Sequence, residues 1–276
     1  VELYDAVAYE NSRHLTLRYS TSFGISSRFF SKQMQPHIYA IYGMVRIADE
    51  IVDTYKGPQA AKLLDAYEQA VYAAIKLGYS TDLILYAFAL TARAYGIDRT
   101  LIAPFFASMR MDLAPQTYSP ADYKAYIHGS AEVVGLMCLR VFCSGDNAHY
   151  DSLRDGAAAL GSAYQKVNFL RDLAADYKEL GRLYFPGVTY EQFDETAKRH
   201  IIADIKQDFA AALPALRRLP ASSRKATLIS YVYYTELLKK LEQTPAATIK
   251  TTRIRVPSRR KLSLIVSTLV REGWKS

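Results

Sequence analysis

Apolar residues recur along this chain at alternating steps of three and four, the period of one face of an α-helix. The plainest case follows Pro36, where Ile38, Ile41, Val45, Ala48 and Val52 form a stripe running to about Tyr55, closed by Gly57-Pro58. Ser119-Pro120-Ala121-Asp122 reads as an N-cap, a proline at the first helical position and an acid that can cap the turn in return. A helix is therefore expected from there toward Phe142. A helix of small residues is expected from about Ser152 to Tyr177, closed by Gly181. Further helical periods cover roughly 59–77, 81–95, 99–112, 197–216, 222–242 and 258–270, with Pro104 expected to kink or split the 99–112 segment. No stretch sustains a period of two between turn dipeptides, and no repeat, low-complexity tract or linker interrupts the pattern. The prediction is one all-α domain over residues 1–276.

Composition narrows the class. With 276 residues, 50% hydrophobic and 22% charged, the chain has an ordinary globular make-up and the length for a substantial core. Two cysteines, Cys138 and Cys143, exclude a disulfide framework and a cysteine-rich zinc module, and suit a reducing compartment. The first residues carry no signal-peptide pattern, and no apolar run approaches the ~18 residues of a spanning helix, so a cytoplasmic location is expected. Net charge is +8, but residues 250–276 hold eight basic residues against the single acid Glu272, so the rest of the chain is almost neutral. That excludes a uniformly basic nucleic-acid binder. It points to a local anionic partner near the C-terminal end: phosphate, diphosphate or a lipid surface. The 22 tyrosines thread through apolar segments, which suits an amphipathic wall.

The candidate chemistry lies in two acid pairs. Asp49 and Asp53 share one face of a predicted helix at i and i+4, and so do Asp172 and Asp176 on another. Like charges at this spacing cost a helix roughly 0.2–0.5 kcal/mol per pair, so a cation partner would help explain them. Spacing alone is weak evidence, because Asp151/Asp155, Glu191/Glu195 and Asp204/Asp208 repeat it. The surroundings separate the chosen pairs. Tyr42, Arg46, Asp49 and Asp53 make one polar stripe beside the apolar one. Gln165, Asn168, Asp172 and Asp176 make a second, next to Arg171 and bordered by Val167, Leu170 and Leu173. Facing each other across a cavity, such stripes could hold metal ions between them; the alternative is a salt-bridged structural face.

These residues resemble the squalene/phytoene synthase family. The resemblance rests on Tyr42-Gly-Met-Val-Arg46-Ile-Ala-Asp49-Glu-Ile-Val-Asp53 and on Gln165-Lys-Val-Asn168-Phe-Leu-Arg171-Asp172-Leu-Ala-Ala-Asp176. It extends through Gly181-Arg182-Leu-Tyr184-Phe-Pro186, Tyr19-Ser20-Thr21-Ser22-Phe23, Tyr234-Thr-Glu-Leu-Leu and Arg253-Ile-Arg255-Val-Pro, over roughly residues 14–270. The resemblance implies an all-α, single-domain isoprenoid-synthase bundle with a central cavity, whose two acid motifs bind Mg²⁺ (or Mn²⁺) bridging to prenyl diphosphates. On that reading Asp49, Asp53, Asn168, Asp172 and Asp176 serve the metals. Ser20, Ser22, Tyr42, Arg46, Gln165, Arg171, Tyr234 and Arg253 contact diphosphates. Phe23, Tyr126, Val134, Gly135 and Ala158 line the cavity, and Tyr184 lies on a flap near the reacting carbons. A Leu-Pro common after that tyrosine is Phe185-Pro186 here.

The implied reaction joins two prenyl diphosphates head to head. Arg46, Arg171 and Arg253 suit it as clamps, because a planar guanidinium fork matches phosphate oxygens. The leading expectation is phytoene from two geranylgeranyl diphosphates, favoured by small residues over 156–163 that would leave room for a long chain. Squalene or dehydrosqualene from two farnesyl diphosphates is the alternative, with NADPH needed only for squalene. A non-catalytic relative acting as an assembly factor, or a lipid-binding helical module, would not need both acid stripes intact. Among the remaining features, His14, His37, His128, His149 and His200 show no paired ligand spacing. The two cysteines read as buried hydrophobes, and Asp112 as a helix-terminal surface acid or a third acid at the mouth. Arg259-Arg260-Lys261 opens either a packed terminal helix or an interfacial one in peripheral contact with a membrane.

Overall fold

Asp82, Asp98, Asp146 and Asp194 each turn a carboxylate onto backbone N–H groups of the turn that follows, satisfying donors that a helix start leaves open. Ser119 and Asp122 complete the reciprocal capping box that their spacing predicts. From such starts the structure, a computed structural model describing residues 2–55, 57–113 and 118–273, builds an all-α bundle. Its helices are α1 (Glu2–Tyr19), α2 (Thr21–Ser26), α3 (Gln35–Asp53), α4 (Ala60–Leu77), α5 (Leu83–Tyr95), α6 (Arg99–Met111), α7 (Pro120–Ile127), α8 (Val133–Cys143), α9 (Asn147–Leu180), α10 (Glu195–Arg218), α11 (Ala221–Gln243), α12 (Ala246–Ile249) and α13 (Ser258–Gly273). A π-helical turn, His128–Glu132, joins α7 to α8 without a break.

The 34 residues of α9 make a rod about 51 Å long, which packs against α8, the π turn, α10 and α11. The second inner helix, α3, lies against α1, α4, α5 and α8. One continuous apolar core joins them, from Phe30 and Met34 through Phe88, Phe105 and Phe106 to Ile254 and Val256.

Where helices approach most closely, small residues make the contact. A Cβ on Gly156 would meet the Ala215 Cβ at 2.3 Å, and one on Gly161 would meet the Ala131 carbonyl at 2.6 Å. The small residues Gly156 and Gly161 therefore admit α10 and the π turn against α9. At Gly156 and Gly161 the room expected for a long substrate chain is taken by neighbouring segments, whereas Ala158 between them is half-buried. Gly135 has the same task, since a Cβ there would lie 3.2 Å from the Ala157 carbonyl oxygen.

Four features depart from the sequence pattern. Helix α1 is not foreshadowed by an apolar stripe, because it buries Ala8, Ser12 and Thr16. The Ser12 and Thr16 hydroxyls donate back to the Ala8 and Ser12 carbonyls at 3.3 and 2.8 Å, so small polar residues satisfy themselves at a close crossing with α3. Helix α9 begins at Asn147 rather than near 152, since the Asp146 cap carries a polar first turn. Pro104 does not split α6, which runs unbroken around it. Finally, the helical run Pro120–Cys143 spans 24 residues and contains an 18-residue window of mean hydropathy 1.2, long and apolar enough to cross a membrane by length and composition. The expectation that no segment approaches that length is corrected, although 56% of that window is buried against the bundle.

The tightest approach is at Gly129 in the π turn, where a Cβ would sit 2.1 Å from the Pro104 carbonyl and 2.8 Å from the Ser108 Cβ. Gly129→Ala should therefore cost about 1–3 kcal/mol of unfolding free energy through overpacking, measured by urea denaturation. An unchanged midpoint would show that α6 yields without cost.

Candidate active site

On α3 the polar stripe faces inward and is half-buried along its length. Tyr42 stacks on Phe23 with ring centroids 5.5 Å apart. One turn on, the Arg46 guanidinium lies 4.4 Å over the Tyr19 ring, pairs with Glu50 and approaches Asp49 at 3.7 Å. Its Nε is buried without a partner, so one donor on this clamp is still to be satisfied. Burial, then the charge of Asp53, and more weakly Asp112 and Glu50, push the Asp49 carboxyl up to about 7 against the pull of Arg46.

The facing stripe is on α9. Asn168 accepts a hydrogen bond from Tyr234 at 3.3 Å, and Tyr234 is stacked on Tyr164 at 4.0 Å. Asp172 is gripped by two arginines: Arg171 Nε donates at 2.9 Å, and Arg253, arriving from the segment after α12, places Nε at 2.6 Å. Burial, then Asp172 and Asp53, raise the Asp176 carboxyl to about 7, while Arg182 and Arg171 oppose the shift. Asp176 thus feels an acid from α3, which puts the two stripes in one electrostatic field.

Between them lies Arg182. Gly181 ends α9 at φ +65, a left-handed conformation that suits glycine, and the turn drops the next residue back toward the acids. The Arg182 side chain, 8% exposed, donates to Asp53 at 2.8 Å and to the Asp112 carbonyl at 2.7 Å. Its Nε lies 3.6 Å from the Asp112 carboxylate. That carboxylate also accepts from Tyr126 at 2.6 Å and Tyr184 at 3.4 Å. Burial raises Asp112 to about 6, moderated by Arg182 and Tyr126. Asp112 is buried, so of its two expected placements the helix-terminal surface acid is excluded. Inward of the acids, where the resemblance implies a cavity, rings narrow the interior: Tyr184 stacks on Phe169 at 3.9 Å and lies 5.1 Å from Tyr126. A separate open groove of about 530 Å³ lies beyond Phe185, between α7, the 185–188 turn and α10, and none of the acid-stripe residues lines it.

The all-α bundle that carries these stripes agrees with the chain's relatives. Residues 16–260 match the model of the family described as squalene/phytoene synthase. The chain belongs to the squalene/phytoene synthase family. Members of this family act on prenyl diphosphates. A 15-cis-phytoene synthase from Synechococcus elongatus is 29% identical over 96% of this chain and 93% of its own length. A chloroplastic phytoene synthase from Daucus carota is 28% identical over 85% of this chain, which spans 63% of that protein. Among solved structures, a dehydrosqualene synthase in complex with ligand superposes with a TM-score of 0.80 at 17% identity, covering 98% of both chains. A squalene synthase, HpnC from Alicyclobacillus acidocaldarius, gives 0.72 at 20% identity over 99% of this chain and 97% of its own. At these identities the structures speak for the fold.

Of the other site residues expected from the family resemblance, Ser20 is the N-cap of α2 and accepts from Phe23 N–H at 3.2 Å. The Ser22 side chain lies outside the described residues. Gln165 is half-buried on the α9 stripe, Val134 is half-buried against the core on α8, and Ala158 is half-buried on α9. Arg182 and Glu50 are the contributors that spacing alone did not single out. The signal for Arg182 was its place directly after a helix-ending glycine.

Among the described residues no three His, Cys, Asp or Glu side chains converge on a preformed metal cage. The donor set nevertheless fits a hard divalent cation. Asp49, Asp53, Asp172, Asp176 and Asn168 offer oxygen only, with no imidazole or thiolate among them, and Mg²⁺ typically needs just one or two carboxylates beside water and phosphate.

Asp49, Asp112 and Asp176 titrate at about 7, 6 and 7 in the folded chain, above the carboxylate range near 4 that unfolding restores. Their contribution to stability is complete below pH ~4 and is lost as pH rises through 6–7. The thermal midpoint in EDTA should therefore decline between pH 5 and 8, and Asp49→Asn with Asp176→Asn should flatten the decline. An unaltered slope in that double variant would assign it to other groups.

Proposed function

We propose that this chain joins two geranylgeranyl diphosphates, C1′ to C1, to give phytoene through prephytoene diphosphate. The observation that carries the reading is the pair of acid stripes on α3 and α9, sharing one field and flanked by Arg46, Arg171 and Arg253. The substrate's length follows the relatives named phytoene synthase in cyanobacteria and plants.

Asp49, Asp53, Asn168, Asp172 and Asp176 would hold Mg²⁺ or Mn²⁺, which when bound supplies Lewis-acid charge to the departing diphosphate. Arg46, Arg171 and Arg253 offer guanidinium forks to the same phosphate oxygens. As the allylic C–O bond of one substrate breaks, its electron pair leaves with the diphosphate. The double bond of the second substrate captures the cation, and loss of a proton closes the cyclopropane of prephytoene diphosphate. A second ionisation, rearrangement and proton loss complete phytoene, so two diphosphates leave and no hydride is required. Phe23, Tyr42, Tyr126 and Tyr184 would offer aromatic surface to the reacting chain, excluding water and steadying positive charge. Tyr234 and Gln165 orient the polar end, and Val134, Gly135 and Ala158 border the apolar one.

The competing substrate is farnesyl diphosphate. It gains weight because Gly156 and Gly161 are occupied by contacts with neighbouring segments and give no independent reason for a C20 chain. Incubation with Mg²⁺ and each diphosphate, with and without NADPH, separates the readings by product. Phytoene formed without NADPH is expected. Dehydrosqualene from farnesyl diphosphate, or squalene from it with NADPH, would replace the proposed substrate, and no product from either diphosphate would favour an assembly factor. Asp49→Asn and Asp172→Asn should each lower turnover by roughly 10²–10³-fold with the helical circular dichroism retained; wild-type rates in either would remove that acid from the site.

A further inference from the structure

We propose that Arg182 is a resident counterion for Asp53 that competes with divalent metal for that carboxylate, and so holds down the metal affinity of the acid site. The residue joins the two acid-bearing helices. Its backbone N–H donates to the Asp176 carbonyl on α9 at 3.0 Å, inside the turn that Gly181 allows. Its side chain crosses to α3, where Nη1 donates to Asp53 Oδ1 at 2.8 Å. Nη2 donates to the Asp112 main-chain carbonyl at 2.7 Å, and Nε lies 3.6 Å from Asp112 Oδ1. Among the described residues, Asp53 pairs with no other cation. Arg46 is turned to Glu50, and Arg171 and Arg253 both grip Asp172.

The two ends of this guanidinium are held unequally. The Asp112 side chain is 4% exposed and takes a further hydrogen bond from Tyr126 at 2.6 Å, so that end is fixed deep in the bundle. The Asp53 side chain is 39% exposed, against 8% for Arg182, so the arginine reaches it from inside while solvent reaches it from outside. The contact with Asp53 is therefore the exchangeable one. A divalent cation arriving from solvent meets a carboxylate whose charge is already offset, with a fixed positive charge behind it. Phosphate oxygens relieve that repulsion, and Mg²⁺ ordinarily takes phosphate along with one or two carboxylates. Arg182 thereby makes metal uptake conditional on diphosphate, which keeps its second partner, Asp112, when Asp53 turns to the metal. A merely structural tie would act with the opposite sign: losing it would disorder Asp53 and weaken metal binding. The inference rests on the metal site of the reading above and not on the length of the prenyl chain.

The test is the Mn²⁺ affinity of the full chain, read from the electron paramagnetic resonance signal of the free ion. Arg182→Gln should bind Mn²⁺ alone ~10-fold more tightly than the wild type, while Arg182→Lys, which keeps the charge, should stay within ~3-fold of it. Equal or weaker binding by Arg182→Gln overturns the proposal and leaves Arg182 a structural tie. Binding by Asp53→Asn as tight as that of the wild type places the metal elsewhere and removes the site reading together with the proposal. The wild type supplies a second readout that needs no folded glutamine variant: the side-chain nitrogen resonances of Arg182, assigned with Arg182→Lys. Mg²⁺ with inorganic pyrophosphate should cost the Nη protons their protection from exchange with water and leave the Nε proton protected. Unchanged Nη exchange also overturns the proposal.

Discussion

Carboxylates of like charge resist being gathered inside an apolar bundle, and the centre of this molecule is organised around relieving that resistance. Asp49, Asp53, Asp112, Asp172 and Asp176 come from three helix regions, and they are held together because guanidinium groups from elsewhere reach in among them. Arg182 matters most: it is buried, and it joins the end of α3 to the end of α6 from the turn that closes α9. Without a charge there, the acids would have to separate or stay protonated. The raised carboxyls of Asp49 and Asp176 show that the compensation is incomplete. An incompletely compensated cluster of oxygens is what a divalent cation and its phosphate ligand can complete.

The helices that carry these groups are placed by unassertive chemistry. Glycines at 129, 135, 156 and 161 remove side chains where helices cross, and hydroxyls on α1 bond to their own helix so that it can lie close to α3. These contacts fix how near α8 and α10 come to α9. They therefore fix which way the amide-and-acid stripe of α9 points. The aromatic layer of Phe169, Tyr184 and Tyr126 hangs from the same framework, because two of its hydroxyls end on Asp112.

Most helices could be read from periodicity, and the opposed stripes from the residues bordering each acid pair. What escaped has physical causes. Helix α1 has almost no apolar face, so a pattern of apolar steps could not find it. Asp112 looked like a surface acid because nothing local reveals that Tyr126, Tyr184 and Arg182, up to 72 residues away, converge on it. Arg182 was part of a recognised motif, but its pairing with Asp53 spans 129 residues and exists only once the chain has folded. Glycines and alanines over 156–163 were open to two readings, empty space or close packing, and a sequence cannot say which side of a helix is already occupied.

The unbroken length of α9 has a further consequence. Gln165 and Asp176 are separated by eleven residues of regular helix, about 16 Å that ligands cannot stretch or shorten. The rod behaves as a fixed ruler for the polar end of whatever binds. Adjustment to guests of different bulk must then come from the two irregular arms that carry Arg182 and Arg253, the first tethered to α3 and the end of α6 and the second to the ruler itself, by side-chain bonds that can be exchanged one at a time.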